Sequence, residues 1–221
     1  MAEMSKSNTN QSPLTSEGQG GGFRRIILIG YMGAGKTTVG KALAKTLGLQ
    51  FYDLDWYIES RMRKKVSEIF AERGEEGFRR IEHNMLHEVA EFENVVLSCG
   101  GGTPCFFDNM DYMNQQAQVV YLRCVPEVLF AHLHMSKNDR PLLRGKSADE
   151  LLTFITEQLK VREPFYTKAH YQLDISLMDN NQKIQNTVNC LIKLLNGKDK
   201  SEESFTSEGS FTLESKRASH D

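Results

Sequence analysis

Long apolar runs are missing from this 221-residue chain. No segment approaches the ~18 consecutive apolar residues that cross a bilayer, so no membrane span is expected. A one-sided charge is missing too: 29 acidic against 27 basic residues leave a formal net charge of −2. No strong global field would draw nucleic acid or an anionic membrane surface. A basic stripe interleaved with aromatics, as single-stranded nucleic acid requires, is also lacking. Cysteine is sparse. Cys99, Cys105, Cys124 and Cys190 form no CxxC pair. A disulfide-stapled secreted domain would be shorter and denser in cysteine, so these are expected as reduced thiols. Residues 1–22 have neither arginine nor the apolar centre of a signal peptide, which leaves a cytoplasmic location as the expectation.

The hydrophobic fraction, 39%, is slightly low for a globular chain. The ends account for it. Residues 1–22 and 197–221 are polar and rich in Gly, Ser and charge, and too poor in apolar groups to offset ordering entropy, so both are expected to be disordered. The second carries a near-repeat, Ser204-Phe-Thr-Ser-Glu and Ser210-Phe-Thr-Leu-Glu. That leaves one folded domain, 23–196. Within it, short apolar runs at 25–30, 49–55, 94–100, 117–123 and 171–176 read as strands. They are continuously apolar, as a sheet covered on both faces demands. Longer amphipathic stretches at 36–47, 56–71, 78–92, 126–135 and 148–162 read as helices. The alternation predicts an α/β fold with a parallel, doubly wound sheet, and ligands at the carboxyl ends of its strands.

One stretch, ILIGYMGAGKTTVGKAL (27–43), carries the most chemistry. Gly30-x-x-x-x-Gly35-Lys36-Thr37 follows an apolar strand and opens a helix, the setting that a phosphate-binding loop needs. Glycines let several backbone N–H groups turn toward one anion, and the helix N-terminus adds positive potential. Gly33, Ala34, Gly35, Lys36, Thr37 and Thr38 are the expected nucleotide contacts. Lys36 would serve the β- and γ-phosphates, and the Thr37 hydroxyl a magnesium ion.

The following motifs suggest where the phosphate goes. Asp53 and Asp55 sit two apart at the end of the second strand, which predicts that both point one way. One could serve the magnesium shell and the other an acceptor hydroxyl, although Asp55 reads almost equally well as a helix cap. In GEEGFRRIE (74–82), Glu75 and Glu76 suit a first helical turn, while Arg79 and Arg80 near the same end call for an anion close by. SCGGGTP (98–104) ends a strand in Gly100, Gly101 and Gly102, one more than a turn needs, which suggests close approach of a ligand to the backbone. KNDRPLLRGKS (137–147) is a basic loop able to close over a phosphoryl group. In VREPFY, Arg162 precedes Pro164, where a helix should end.

In this order and at these spacings, GYMGAGKTT, FYDLD, GEEGFRRIE, SCGGGTP, DRPLL and REPFY closely resemble the shikimate kinase family, from about Phe23 to Leu195. The resemblance implies a P-loop kinase with a five-stranded parallel sheet in the order 2-3-1-4-5. It implies transfer of the ATP γ-phosphoryl group to the 3-hydroxyl of shikimate, in aromatic amino acid biosynthesis. It further implies that Asp55 binds that hydroxyl as its base and that Arg79 and Arg162 grip the shikimate carboxylate. Gly100, Gly101 and Gly102 would form the substrate-side loop, with Glu82 orienting the arginines. Mg²⁺ would be held by Thr37 directly and Asp53 in an outer shell, and Arg140 would be the lid arginine, joining Lys36 and Asp55 as catalytic and touching ATP. One position departs from the pattern. Where many members carry an adenine-stacking arginine, this chain has Leu133, flanked by His132 and His134. Either an imidazole stacks instead or the base is held less tightly. A polyol kinase of the same fold would not need the arginine pair, and a non-catalytic nucleotide module would not need both Lys36 and Asp55. ATP and shikimate are the expected partners, with neither nucleic acid nor membrane, and a monomer is the default.

Overall fold

A computed structural model describes residues 24–135 and 147–196, and the backbone of 205–206. The elements alternate along the chain as β1 (Arg25–Ile29), α1 (Lys36–Leu47), β2 (Gln50–Asp53), α2 (Leu54–Met62), α3 (Val66–Ala90) and β3 (Val95–Ser98). A 3-10 turn (Thr103–Cys105) leads to α4 (Asn109–Gln116), β4 (Gln118–Arg123), α5 (Pro126–Met135), α6 (Ala148–Tyr166), β5 (Tyr171–Asp174) and α7 (Asn181–Asn196). The sheet is parallel throughout, and its first five strands stand in the order β2-β3-β1-β4-β5, as expected. A two-residue strand, β6 (Phe205–Thr206), extends it by pairing with Leu173 and Asp174 of β5. Those two residues fall in the stretch 197–221, which composition alone marks as unordered. Their backbone groups find partners because β5 would otherwise be an open edge.

The central strands are buried along nearly their whole length. Ile26, Leu28, Ile29, Val96, Leu97, Val119, Val120 and Leu122 are all within 1% of full burial or fully buried. Both faces of the sheet are therefore covered, which explains why these strands do not alternate apolar with polar residues. Helix α1 lies close on the sheet at Gly40, where a Cβ would stand 2.6 Å from the Phe51 ring. Helix α7 packs against α1, and its Val188, Leu191 and Leu195 are buried. Because β1 lies between β3 and β4, the connections leave it in opposite directions, and a crevice opens at the carboxyl ends of the strands.

Three local expectations need correction. The helix expected over 56–71 is two helices: α2 ends at Met62, Arg63 turns left-handed at φ 53°, and α3 restarts at Val66. Helix α3 then runs to Ala90 as two limbs joined at Gly74 (φ 67°, ψ −176°), a conformation that glycine adopts without a Cβ clash. Glu75 and Glu76 thus do open a helical limb. Pro164 does not end its helix. Helix α6 continues to Tyr166, and so near the terminus the proline removes a single backbone bond.

Candidate active site

The phosphate loop follows β1 directly. Gly33 and Gly35 are left-handed, at φ 86° and 82°, and Gly35 opens α1. These two conformations curl the loop, and Ala34 at its crest is fully buried. Lys36 folds back over the loop, its Nζ donating to the carbonyls of Gly30 (2.8 Å) and Tyr31 (3.0 Å). Its ammonium is thereby held where a phosphate chain would lie. Thr37 Oγ1 donates to Asp53 Oδ2 at 2.8 Å, joining α1 to the carboxyl end of β2. A cleft of about 520 Å³ opens here, lined by Gly33, Lys36, Thr37, Thr38, Asp53 and Asp55 among others.

Asp53 and Asp55 do line one cleft, but not as same-face residues of a strand. Strand β2 stops at Asp53, and Asp55 lies in the first turn of α2. The chain turns into the helix between them, and the turn brings both carboxylates to the same opening. Asp55 is pushed up to about 6. Burial is the main cause, followed by the negative charges of Asp53 and Glu82, while Lys36 and Arg79 pull the other way. A carboxyl group in this condition can take a proton near neutrality.

The three glycines are the hub of the far wall. A Cβ added at Gly102 would stand 2.5 Å from Arg79 Nη2, and one at Gly101 would stand 3.4 Å from Arg162 Nη1. At Gly100 it would meet Asp55 Oδ1 at 3.3 Å and Glu82 Oε1 at 3.2 Å. The groups that come close to these glycines are the protein's own charged side chains, where the sequence suggested a ligand. Arg79 Nη1 donates to Glu82 Oε2 at 2.7 Å, and Glu82, only 1% exposed, also accepts from Thr103 Oγ1 at 2.5 Å. The Arg79 guanidinium stacks over Phe106, 4.2 Å from the ring centre. Arg162 donates to Gln158 Oε1 at 3.1 Å and faces the Tyr31 ring. Two arginines are thus fixed on either side of a loop without side chains, just beyond the cleft that reaches Gly100 and Gly101. Arg80, by contrast, points outward to Glu76 and is largely exposed.

The structure also places residues that the sequence motifs do not reveal. Trp56, 51% exposed, lines the cleft with the Lys41 ammonium 4.5 Å above its ring. Thr103 seats Glu82, and its place directly after the three glycines was the available signal. His132 is not free to stack on a base. Its Nδ1 lies 2.8 Å from the Gly33 carbonyl, and its Nε2 accepts from the Met178 N–H at 2.9 Å. Since a carbonyl only accepts and an N–H only donates, the ring is neutral with the proton on Nδ1. It ties the phosphate loop to the segment after β5. Leu133 packs against Gly33, and Met178 against Gly35. Arg140 lies outside the described residues.

The donor set near the phosphate loop suits a hard divalent ion. A hydroxyl and a carboxylate, 2.8 Å apart beside a phosphate cradle, are all-oxygen ligands of the kind that Mg²⁺ takes.

Comparison with known proteins agrees with this arrangement. The shikimate kinase family model matches residues 32–195. The shikimate kinase of Bacteroides thetaiotaomicron is 55% identical over 171 residues, covering 77% of this chain and 98% of the relative. That of Parabacteroides distasonis is 56% identical over 173 residues, 78% of this chain and 100% of the relative. A crystal structure of shikimate kinase from B. thetaiotaomicron superposes with a TM-score of 0.77 at 54% identity, covering 79% of this chain and 99% of that one. One from Acinetobacter baumannii, in complex with shikimate, gives 0.67 at 34% identity, covering 78% and 93%.

Proposed function

The chain belongs to the shikimate kinase family, and from that premise we propose that it transfers the γ-phosphoryl group of ATP to the 3-hydroxyl of shikimate through the residues gathered at the three glycines. It is an ATP-dependent kinase acting on shikimate, of the aromatic amino acid pathway. The hydroxyl oxygen attacks the γ-phosphorus, the bond to the β-phosphate oxygen breaks, and ADP leaves. Asp55 orients the hydroxyl and takes its proton. The loop amides and Lys36 hold the phosphates, and Lys36 offsets charge on the transferring group. Arg79 and Arg162 grip the substrate carboxylate, for which forked guanidinium groups are better matched than lysine. Gly100, Gly101 and Gly102 let the sugar-like ring lie against the backbone between them. Thr37 and Asp53 would hold Mg²⁺, which when bound neutralises phosphate charge. Arg140 is assigned the lid position on the sequence pattern alone. The protein is expected to act as a cytoplasmic monomer; no helix among the described residues is long and apolar enough to cross a membrane.

The observation that carries these roles is the wall at Gly100–Gly102, which meets Asp55 at one end and both arginines at the other. The test is ADP release with ATP and Mg²⁺ in the presence of shikimate, beside gluconate and a no-acceptor control. Release that depends on shikimate is expected. Release only with gluconate would overturn the acceptor assignment. Lys36→Ala should nearly abolish turnover while the fold, read by circular dichroism, persists.

A further inference from the structure

Beyond Arg79 on α3, at four-residue steps, His83 and His87 stand one helical turn apart, their ring centres 4.3 Å from each other. Asp108, just before α4, comes up to them, and one potential ligand atom from each of the three lies within 4.8 Å of the others. The surroundings prepare both rings. Asn109, fully buried, donates through Nδ2 to the Thr103 carbonyl at 2.8 Å, which fixes its amide and turns Oδ1 toward His83 Nδ1 at 2.7 Å. An amide oxygen only accepts, so His83 carries a proton on Nδ1, which leaves Nε2 as its ligating nitrogen when the ring binds an ion. Metal-bound histidines are usually held in this way, the second ring nitrogen donating to an oxygen. His87 packs flat on Tyr112, with centroids 3.5 Å apart and planes within 10°. Its Nε2 is shut off from solvent and makes no hydrogen bond among the described residues. A sealed imidazole nitrogen without a partner is costly unless something occupies it.

The turn that delivers Asp108 is itself strained. Phe107 is a non-glycine residue at φ 51°, 59% exposed, its ring 5.1 Å from His83. Such conformations persist where the surrounding structure requires them. Asp108 is 68% exposed, so its carboxylate can turn toward an ion without disturbing the core.

We propose that His83, His87 and Asp108 form a site for a divalent transition ion of the zinc type, distinct from the magnesium position in the cleft. Two imidazole nitrogens and one carboxylate oxygen suit Zn²⁺, Co²⁺ or Ni²⁺, whereas Mg²⁺ and Ca²⁺ favour all-oxygen shells. Water would complete the coordination. The site is joined to the substrate wall by hydrogen bonds from His83 through Asn109 and Thr103 to Glu82 and Arg79. An ion there would steady the element that holds Thr103.

The test is titration of Zn²⁺ into the full-length, chelator-treated protein by calorimetry, without nucleotide. One saturable site is expected. His83→Gln and Asp108→Asn should each weaken it by tenfold or more, with unchanged far-ultraviolet circular dichroism. Co²⁺ added in place of Zn²⁺ should give visible ligand-field bands without sulfur charge-transfer bands. No saturable binding to the unaltered protein, binding of the same strength in both variants, or sulfur charge-transfer bands would each overturn the proposal.

Discussion

Asp55 is pushed up to about 6 by burial and by the carboxylates of Asp53 and Glu82. Removing one of these like charges should let it ionise more easily. In Asp53→Asn, the Asp55 carboxyl should titrate at lower pH by carbon-13 NMR of the ligand-free protein; an unmoved midpoint would reassign the shift to burial and Glu82. The same displacement links catalysis to stability. A carboxyl whose pKa is raised on folding contributes stability that is complete below its unfolded value, 3.8, and lost as pH rises through about 6. The shift is roughly two pK units, or on the order of 3 kcal/mol at neutral pH. Asp55→Asn should therefore unfold at a higher temperature than the parent at pH 7, and at a similar one near pH 3. Its kcat should fall by about 10²–10⁴, the usual contribution of a general base. Parent-like turnover would remove Asp55 from that role. Asp55, Lys36, Arg79 and the glycines were all legible as candidates, because their types and spacings suit phosphoryl transfer, and the structure gathers them around one cleft and its far wall. Thr103 and His132 were not. Each acts by touching a partner on another element, Glu82 and Gly33 respectively, and one sequence does not print such contacts.

At the scale of elements, Gly102 and Gly74 are needed for different reasons. Gly102 has an ordinary helical backbone, φ −88° and ψ −24°, so nothing local demands glycine. The Arg79 guanidinium does, lying where a Cβ would go. Gly102→Ala should displace Arg79 and raise the shikimate KM by roughly tenfold or more, an effect of misplaced binding groups, while the ATP KM stays within about twofold. An unchanged shikimate KM would show that the arginine need not sit there. Gly74 has no neighbour within 4 Å of its would-be Cβ, and its demand is purely conformational. Gly74→Ala should cost about 1–3 kcal/mol, the penalty for an L-residue at positive φ with extended ψ, a region almost confined to glycine, measured by urea denaturation. The five strands were legible from continuous apolar runs, and α1, α5 and the start of α6 from their periodicity. The break at Arg63 and the extension past Pro164 were not, since each is decided by capping and packing rather than by local preference; the restart after Gly74 was, in Glu75 and Glu76. Helix α4 is short and mostly polar, and nothing in its pattern sets it apart from a loop.

For the whole molecule, sheet order alone placed the cleft, because the loops after β1, β2 and β3 converge where the crossovers diverge. Deleting 197–221 removes β6, a two-residue pair on the outer edge of β5, far from the three glycines in the strand order. Steady-state constants should be unchanged within about twofold, and a large loss would bring the tail into the site. The tie made by His132 has a broader consequence. Its bridge to Met178 depends on a lone pair, and burial holds its pKa below the ordinary 6.5. The bridge is whole above that value and fails as pH falls through the lower one. A proton taken up there should oppose ATP binding without touching the nucleotide. Acidification should then strike capture and chemistry separately, raising the ATP KM through His132 while lowering kcat through Asp55.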